Sequence, residues 1–218
     1  MKQPLIIGNW KSNKNEAEVE EWFAHASPSI ISSQAEVILC PPFPLLPLCK
    51  KLIQQHQLSW KIGAQDVSPL PEGKHTGAVS AKLLGDFVHY VLIGHSERRN
   101  EFKETDEMLF EKVKRVKEVG LIPVFFVQDK ETPIPEGIGI VAYEPVFAIG
   151  TGTPDTPEHA EEVVGYFKTV KKVPTVLYGG SVDEKNVALF MACPSIDGVV
   201  PGGASLDPAV FTALINNA

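Results

Sequence analysis

Glu144 has the most suggestive chemical setting in the chain. It follows an apolar run, 139–143, that reads as a short buried strand. Pro145 then ends the strand pairing at once. Val146, Phe147, Ala148 and Ile149 are apolar, yet they lie between that proline and Gly150 and Gly152. They read as a loop, 145–152, and an apolar loop beside a carboxylate fits a lid that closes over a small molecule. Other polar residues stand at the same kind of place. Asn9 and Lys11 follow an apolar run at 5–7, His95 and Glu97 follow 90–93, and Ser181 follows 174–178. Gly179-Gly180-Ser181 and Gly202-Gly203 each precede a helical stretch. Backbone N–H groups at a helix N-terminus bind anions, so these two turns, with Gly150, have the makings of a phosphate site. Each signal also has an ordinary reading when taken alone. Glu144 would be a surface carboxylate on a hydrophobic turn, Lys11 a surface lysine, His95 a structural histidine, and the glycine pairs plain turns.

For these residues to act together, the elements that carry them must converge. Apolar strand patterns fall at 5–7, 36–40, 60–64, 90–93, 121–127, 139–143, 174–178 and 198–200. Helical patterns fall between and after them, from Glu16 to Ala24 and at 45–56, 78–87, 105–119, 157–172, 183–191 and 207–215. A further helix begins near Ser96. Met108, Val113, Val116 and Val119 mark the apolar side of 105–119, and Gly120 stops it. Asp183 reads as an N-cap, and Pro208 as a first helical residue. Strands with little alternation are buried on both faces, hence parallel and covered by helices. Eight such units predict a (β/α)₈ barrel whose strand ends open on one mouth. An open doubly wound sheet is the alternative, but Gly8-Asn9-Trp10-Lys11 is not its glycine-rich fingerprint.

The chain has 218 residues, 44% of them hydrophobic, and nothing in its composition divides it, so it reads as a single barrel domain over 1–218. A net charge of −7 disfavours nucleic acid as a partner. Cys40, Cys49 and Cys193 are odd in number and lack metal-ligand or CxxC spacing, so they read as buried thiols of a reducing compartment. No apolar run reaches ~18 residues, and the N-terminus enters a strand without a signal-peptide pattern. The expectation is a cytoplasmic protein with no membrane span and no metal site.

Seven strings, in order and at barrel spacing, carry a resemblance. They are Gly8-Asn9-Trp10-Lys11, Gly63-Ala64-Gln65, Gly94-His95-Ser96-Glu97-Arg98-Arg99, Ala142-Tyr143-Glu144-Pro145-Val146, Ala148-Ile149-Gly150-Thr151-Gly152, Tyr178-Gly179-Gly180-Ser181 and Gly202-Gly203-Ala204-Ser205. The chain resembles the triosephosphate isomerase family over nearly its whole length. The resemblance implies interconversion of dihydroxyacetone phosphate and D-glyceraldehyde 3-phosphate through an enediolate, with no cofactor. It makes Glu144 the base, His95 a neutral electrophile, Lys11 the cation that offsets anionic charge, Glu97 its ionic partner and Asn9 an orienting donor. Gly150, Ser181, Gly202 and Gly203 become the phosphate grip. The chain departs from the family pattern at Phe147 (usually tryptophan), Asp129 (glutamate), Phe126 (cysteine), Ala78 (glutamate) and Pro201 (a branched aliphatic residue). Two other readings of the same residues are a barrel that binds sugar phosphate without turnover, and another barrel enzyme with the same phosphate grip.

Two architectural expectations complete the reading. The long loop 65–77, by resemblance, inserts its tip at His75-Thr76-Gly77 beside Asn9 and Lys11 of the partner subunit, which makes the protein a homodimer. Only residues 128–137 separate the fifth and sixth strands, and Pro133 and Pro135 forbid a regular helix there. Ten extended residues span about 33 Å, enough to return along a strand of roughly 20 Å. An irregular crossover is therefore predicted in place of the fifth barrel helix. The outer faces of strands five and six then need cover, from shifted neighbouring helices or, in a tetramer, from another subunit.

Overall fold

The computed structural model describes residues 3–26, 35–146 and 155–218. Among them, eight parallel strands pair in chain order and close on themselves: β1 Leu5–Asn9, β2 Glu36–Cys40, β3 Lys61–Ala64, β4 Tyr90–Ile93, β5 Ile122–Val127, β6 Ile140–Tyr143, β7 Thr175–Tyr178 and β8 Gly198–Val199. Closure depends on the shortest strand, with Leu5 opposite Gly198 and Ile6 opposite Val199. A Cβ on Gly198 would collide with the Leu5 carbonyl oxygen, so only glycine allows β8 to approach β1 this closely.

The strand period of two divides the apolar residues into two layers. Ile7, Ile38, Leu92, Val124, Ala142 and Leu177 fill the barrel interior. Ile6, Val37, Val91, Phe125, Val141 and Val176 face outward into the layer shared with the helices. Those helices are α1 Glu16–Ala26, α2 Leu46–Gln55, α3 Ala81–Leu84, α4 Ser96–Glu101, α5 Asp106–Glu118, α6 Pro157–Thr169, α7 Val187–Met191 and α8 Pro208–Asn217. Side-chain caps start several of them. Thr105 accepts from Met108 N–H, Thr156 from His159 N–H, and Asp207 from Ala209 and Val210 N–H.

Some sequence expectations change. The helix expected at 78–87 shrinks to the single turn of α3, because Ser80 is extended and Gly85 caps the turn. The helix expected at 183–191 begins only at Val187. Asp183 spends its carboxylate on the Lys185 and Asn186 N–H groups in a separate turn, and Asn186 is the N-cap residue of α7. Helix α6 stops at Thr169 rather than 172, and Lys172 has φ +59. In α5 the buried face is Leu109, Lys112, Val113 and Val116; Met108 and Val119 are exposed. Cys40 and Cys49 are buried, but Cys193 is only half-buried.

The crossover from β5 to β6 contains no helix, as its prolines predict. Asp129 and Thr132 close a turn through reciprocal bonds: the Thr132 N–H donates to Asp129 Oδ1 at 2.7 Å, and Thr132 Oγ1 accepts from Asp129 N–H. The Lys117 ammonium of α5 donates to the carbonyls of Glu136 and Gly137. Lys130 pairs with Glu162 of α6 at 2.7 Å. The crossover is thus pinned on both flanks. Ile134 packs onto the core and Ile138 is buried. The outward residues Phe125, Val127, Val141 and Tyr143 are all buried within this one chain. Cover for β5 and β6 therefore comes from the chain's own neighbouring elements, and no second subunit is needed there. No helix of the described residues is long and apolar enough to cross a membrane.

Candidate active site

A cavity of about 460 Å³ opens at the C-terminal mouth of the barrel, and Asn9, Lys11, His95, Glu144, Ser181 and Gly202 are among its lining residues. Gly203 and Phe126 also line it. The strand ends thus bring Asn9, Lys11, His95, Glu144, Ser181, Gly202 and Gly203 together, and Glu97 joins them through Lys11 without lining the cavity; Gly150 and Phe147 lie outside the described residues along with most of the 145–152 loop.

Lys11 is held at both ends. Its backbone is left-handed, with φ +52, a conformation a side chain with Cβ adopts at a cost of roughly 1–2 kcal/mol. Two side chains hold it there. The Lys11 N–H donates to Asn9 Oδ1 at 3.1 Å, and Gln65 Nε2 donates to the Lys11 carbonyl at 2.8 Å. At the other end, Lys11 Nζ lies 2.6 Å from Glu97 Oε1. The ammonium therefore stands at a defined place beside Gly202, where an added Cβ would touch the Lys11 Cε.

Glu144 is 1% exposed, and its carboxylate is fully engaged. Ser96 gives its N–H to Oε2 at 2.8 Å and its hydroxyl to Oε1 at 2.9 Å. His95 Nε2 stands 2.9 Å from the same Oε1. The other ring nitrogen of His95, Nδ1, accepts the Glu97 N–H at 3.2 Å as the N-cap of α4. A lone pair at Nδ1 leaves Nε2 as the N–H that faces Glu144, which makes the imidazole neutral in this arrangement. The Glu144 backbone is fixed too, its N–H bonded to the Val127 carbonyl of β5 at 2.8 Å.

Three features went unread in the sequence. Ser96 holds the Glu144 carboxylate, and Gln65 locks Lys11; both sat inside quoted strings, and a hydroxyl at the first residue of a helix was the available signal for Ser96. The third is a buried network behind the site. Lys112, 1% exposed, reaches Glu104 Oε1 at 2.6 Å and Asp66. Arg98 bridges the same two carboxylates, at 2.6 Å from Glu104 Oε1 and 2.9 Å from Asp66 Oδ2. Burial pushes the Asp66 carboxyl above the usual range, while Lys112 and Arg98 pull it back. No amphipathic pattern announces a buried lysine, because periodicity assigns lysine to the polar face.

The arrangement places a carboxylate, a neutral imidazole N–H and an ammonium around one cavity, with glycine turns at its rim. Among the described residues no group of three or more His, Cys, Asp or Glu forms a metal-binding cluster. The sequence profile of the triosephosphate isomerase family matches residues 4–218. The chain is 37% identical to triosephosphate isomerase of Thermus thermophilus over 249 aligned residues, which cover 99% of this chain and 98% of that protein. It is 35% identical to that of Clostridium botulinum and 36% to that of Solibacter usitatus, each over 99% of this chain and 100% of the relative. These alignments are longer than the 218-residue chain, so the chain is shorter than its relatives.

Proposed function

Because the chain belongs to the triosephosphate isomerase family, whose members interconvert dihydroxyacetone phosphate and D-glyceraldehyde 3-phosphate, we propose that Glu144 is its proton-transferring base. Glu144 takes a proton from the carbon beside the substrate carbonyl and returns it to the neighbouring carbon, through an enediolate. His95 presents its Nε2–H to the substrate oxygens, where negative charge develops. Lys11 offsets that charge and the charge of the phosphate. Asn9 orients the substrate, and Glu97 keeps the Lys11 ammonium in place. Ser181, Gly202 and Gly203, with Gly150, hold the phosphate through backbone N–H groups. The 145–152 loop closes over the ligand and excludes water.

The observation that carries this reading is the 2.9 Å approach of His95 Nε2 to Glu144 Oε1 at a mouth that also holds Lys11. In this arrangement Ser96 and His95 engage both carboxylate oxygens of a side chain that is almost fully buried, so it must turn away from them to reach a substrate. The test is a coupled assay with glyceraldehyde 3-phosphate. Glu144→Asp retracts the carboxylate by about one methylene, and a displacement on the order of 1 Å costs roughly 10²-fold in rate. Near wild-type turnover in that variant would remove Glu144 from the role.

The protein is further read as a single-domain, cytoplasmic homodimer. The 65–77 loop is exposed over 70–74 and at Thr76 and Gly77, and Leu70 and Phe102 are exposed apolar side chains. The self-covered outer faces of β5 and β6 favour a dimer over a tetramer. Mass measurement at micromolar concentration checks this, and an active monomer would overturn it.

A further inference from the structure

Asp155 is a buried carboxylate with no part in the chemistry above. It is 7% exposed and immediately precedes the N-cap of α6. Its Oδ1 accepts the Thr156 N–H at 2.8 Å. Its Oδ2 lies 2.7 Å from His159 Nδ1, one helical turn on. The Tyr143 hydroxyl points to the same Oδ2 at 3.4 Å, a long contact. The Asp155 main-chain N–H donates to the Tyr178 hydroxyl at 3.0 Å. The two tyrosines are the last residues of neighbouring strands. Tyr143 ends β6 and is bonded directly to Glu144; Tyr178 ends β7 and leads into Gly179-Gly180. Tyr178 is itself held firmly. Its ring stacks on Phe190 at 4.0 Å, and its hydroxyl occupies the space a Cβ on Gly180 would need.

We propose that Asp155 is a positioning residue of this isomerase, whose carboxylate braces the end of β6 through Tyr143 and so sets Glu144 against the Gly179-Gly180 turn, to which its main-chain N–H is already tied through Tyr178. The inference rests on the reading of Glu144 as the base. The two halves of the brace are chemically distinct. The carboxylate acts on the β6 side, through Tyr143, with Thr156 and His159 fixing its orientation. The main-chain N–H acts on the β7 side, through Tyr178, and survives any side-chain change. Burial raises both tyrosine hydroxyls well above their ordinary titration range, and the Asp155 charge adds to this at Tyr143, so both stay protonated.

The experiment separates the two halves in the coupled assay, with inorganic phosphate as competitive inhibitor. Asp155→Ala is expected to lower kcat on the order of tenfold, less than the roughly 10²-fold of a full 1 Å misplacement. Phosphate inhibition should stay within about twofold, because the N–H bond to Tyr178 remains. Asp155→Asn, which keeps the shape and an acceptor oxygen, should recover most of the loss. Tyr143→Phe should reproduce part of the kcat effect and add nothing on top of Asp155→Ala. Tyr178→Phe should instead weaken phosphate inhibition. Wild-type kcat in Asp155→Ala overturns the proposal. So does a parallel fall of kcat, phosphate affinity and melting temperature that Asp155→Asn fails to recover, since that marks a merely structural residue. If Asp155→Ala does not fold, the asparagine and Tyr143→Phe variants carry the same comparison. Glu144→Asp is run beside them: full turnover there defeats the reading of the base, whereas a crippled Glu144→Asp with an unaffected Asp155→Ala defeats only the brace.

Discussion

The two connections on either side of β5 solve the same problem in opposite ways. Residues 94–121, from β4 to β5, carry two helices, α4 and α5, three of the four charges of the network, Arg98, Glu104 and Lys112, and three residues of the site, His95, Ser96 and Glu97. Residues 128–139, from β5 to β6, carry no helix and none of these site residues. Yet each delivers its strand with the outward side chains buried. A crossover has two physical duties, to return the chain to the barrel's bottom and to keep water off the outer face of the sheet. A helix performs both, but a pinned irregular segment that inserts Ile134 and Ile138, between two helices that already flank it, performs them as well. What the helix-rich connection adds is precision at the mouth. Its network ties α4 through Arg98 to α5 through Lys112 and to the loop after β3 through Asp66, and α4 is the element that presents Ser96 and His95 to Glu144.

The sharpest way to break this contrast is at the mouth itself. His95→Gln should lower turnover by ~10²-fold or more while leaving phosphate inhibition nearly intact, because the imidazole acts on charge that develops in the reaction. An equal loss of both would mean that His95 serves the phosphate instead. Next in size is the network. Lys112→Ala leaves the buried Glu104 and the part-buried Asp66 sharing a single cation, Arg98, and should cost about 3–5 kcal/mol in chemical denaturation. A loss under ~1 kcal/mol would show the network to be dispensable and the contrast overstated.

The helix-free side should respond less. Ile134 is only partly buried, so Ile134→Ala should cost about 1–2 kcal/mol, below the roughly 2–5 of a fully buried isoleucine. Activity should not change, since the crossover does not shape the mouth. A large fall in turnover would tie the crossover to the site after all. The smallest effect is expected at the opposite end of the barrel. There Glu36, partly buried at some cost, is held below the usual glutamate range by the Lys61 ammonium at 2.7 Å and the Tyr90 hydroxyl. A depressed carboxylate contributes stability above its ordinary pKa and loses it as pH falls through the folded value. Lys61→Met should therefore flatten the acid side of the stability curve by ~0.2–1 kcal/mol and leave neutral turnover alone. An unchanged acid limb would remove the pair from the account.

Much of this was written in local sequence. Short apolar runs marked the eight strands, and the alternation with helices implied the barrel. Pro133 and Pro135 were enough to exclude a helix from the β5–β6 connection, because proline acts on its own backbone whatever surrounds it. Lys11, His95 and Glu144 were legible because a parallel barrel sends every strand end to one mouth. Helix lengths were less legible. The turn at Asp183 arose from side chain–backbone bonds that compete with helix, and the single turn of α3 from the extended Ser80 and the cap at Gly85. Tertiary structure alone decided the rest. Whether Ser96 meets Glu144, whether Lys112 is a surface charge or the centre of a buried network, and whether Asp155 reaches two strand ends all depend on segments distant in the chain. Proline and glycine carry their constraint within one residue, whereas a polar side chain takes its meaning from the partner that folding brings to it.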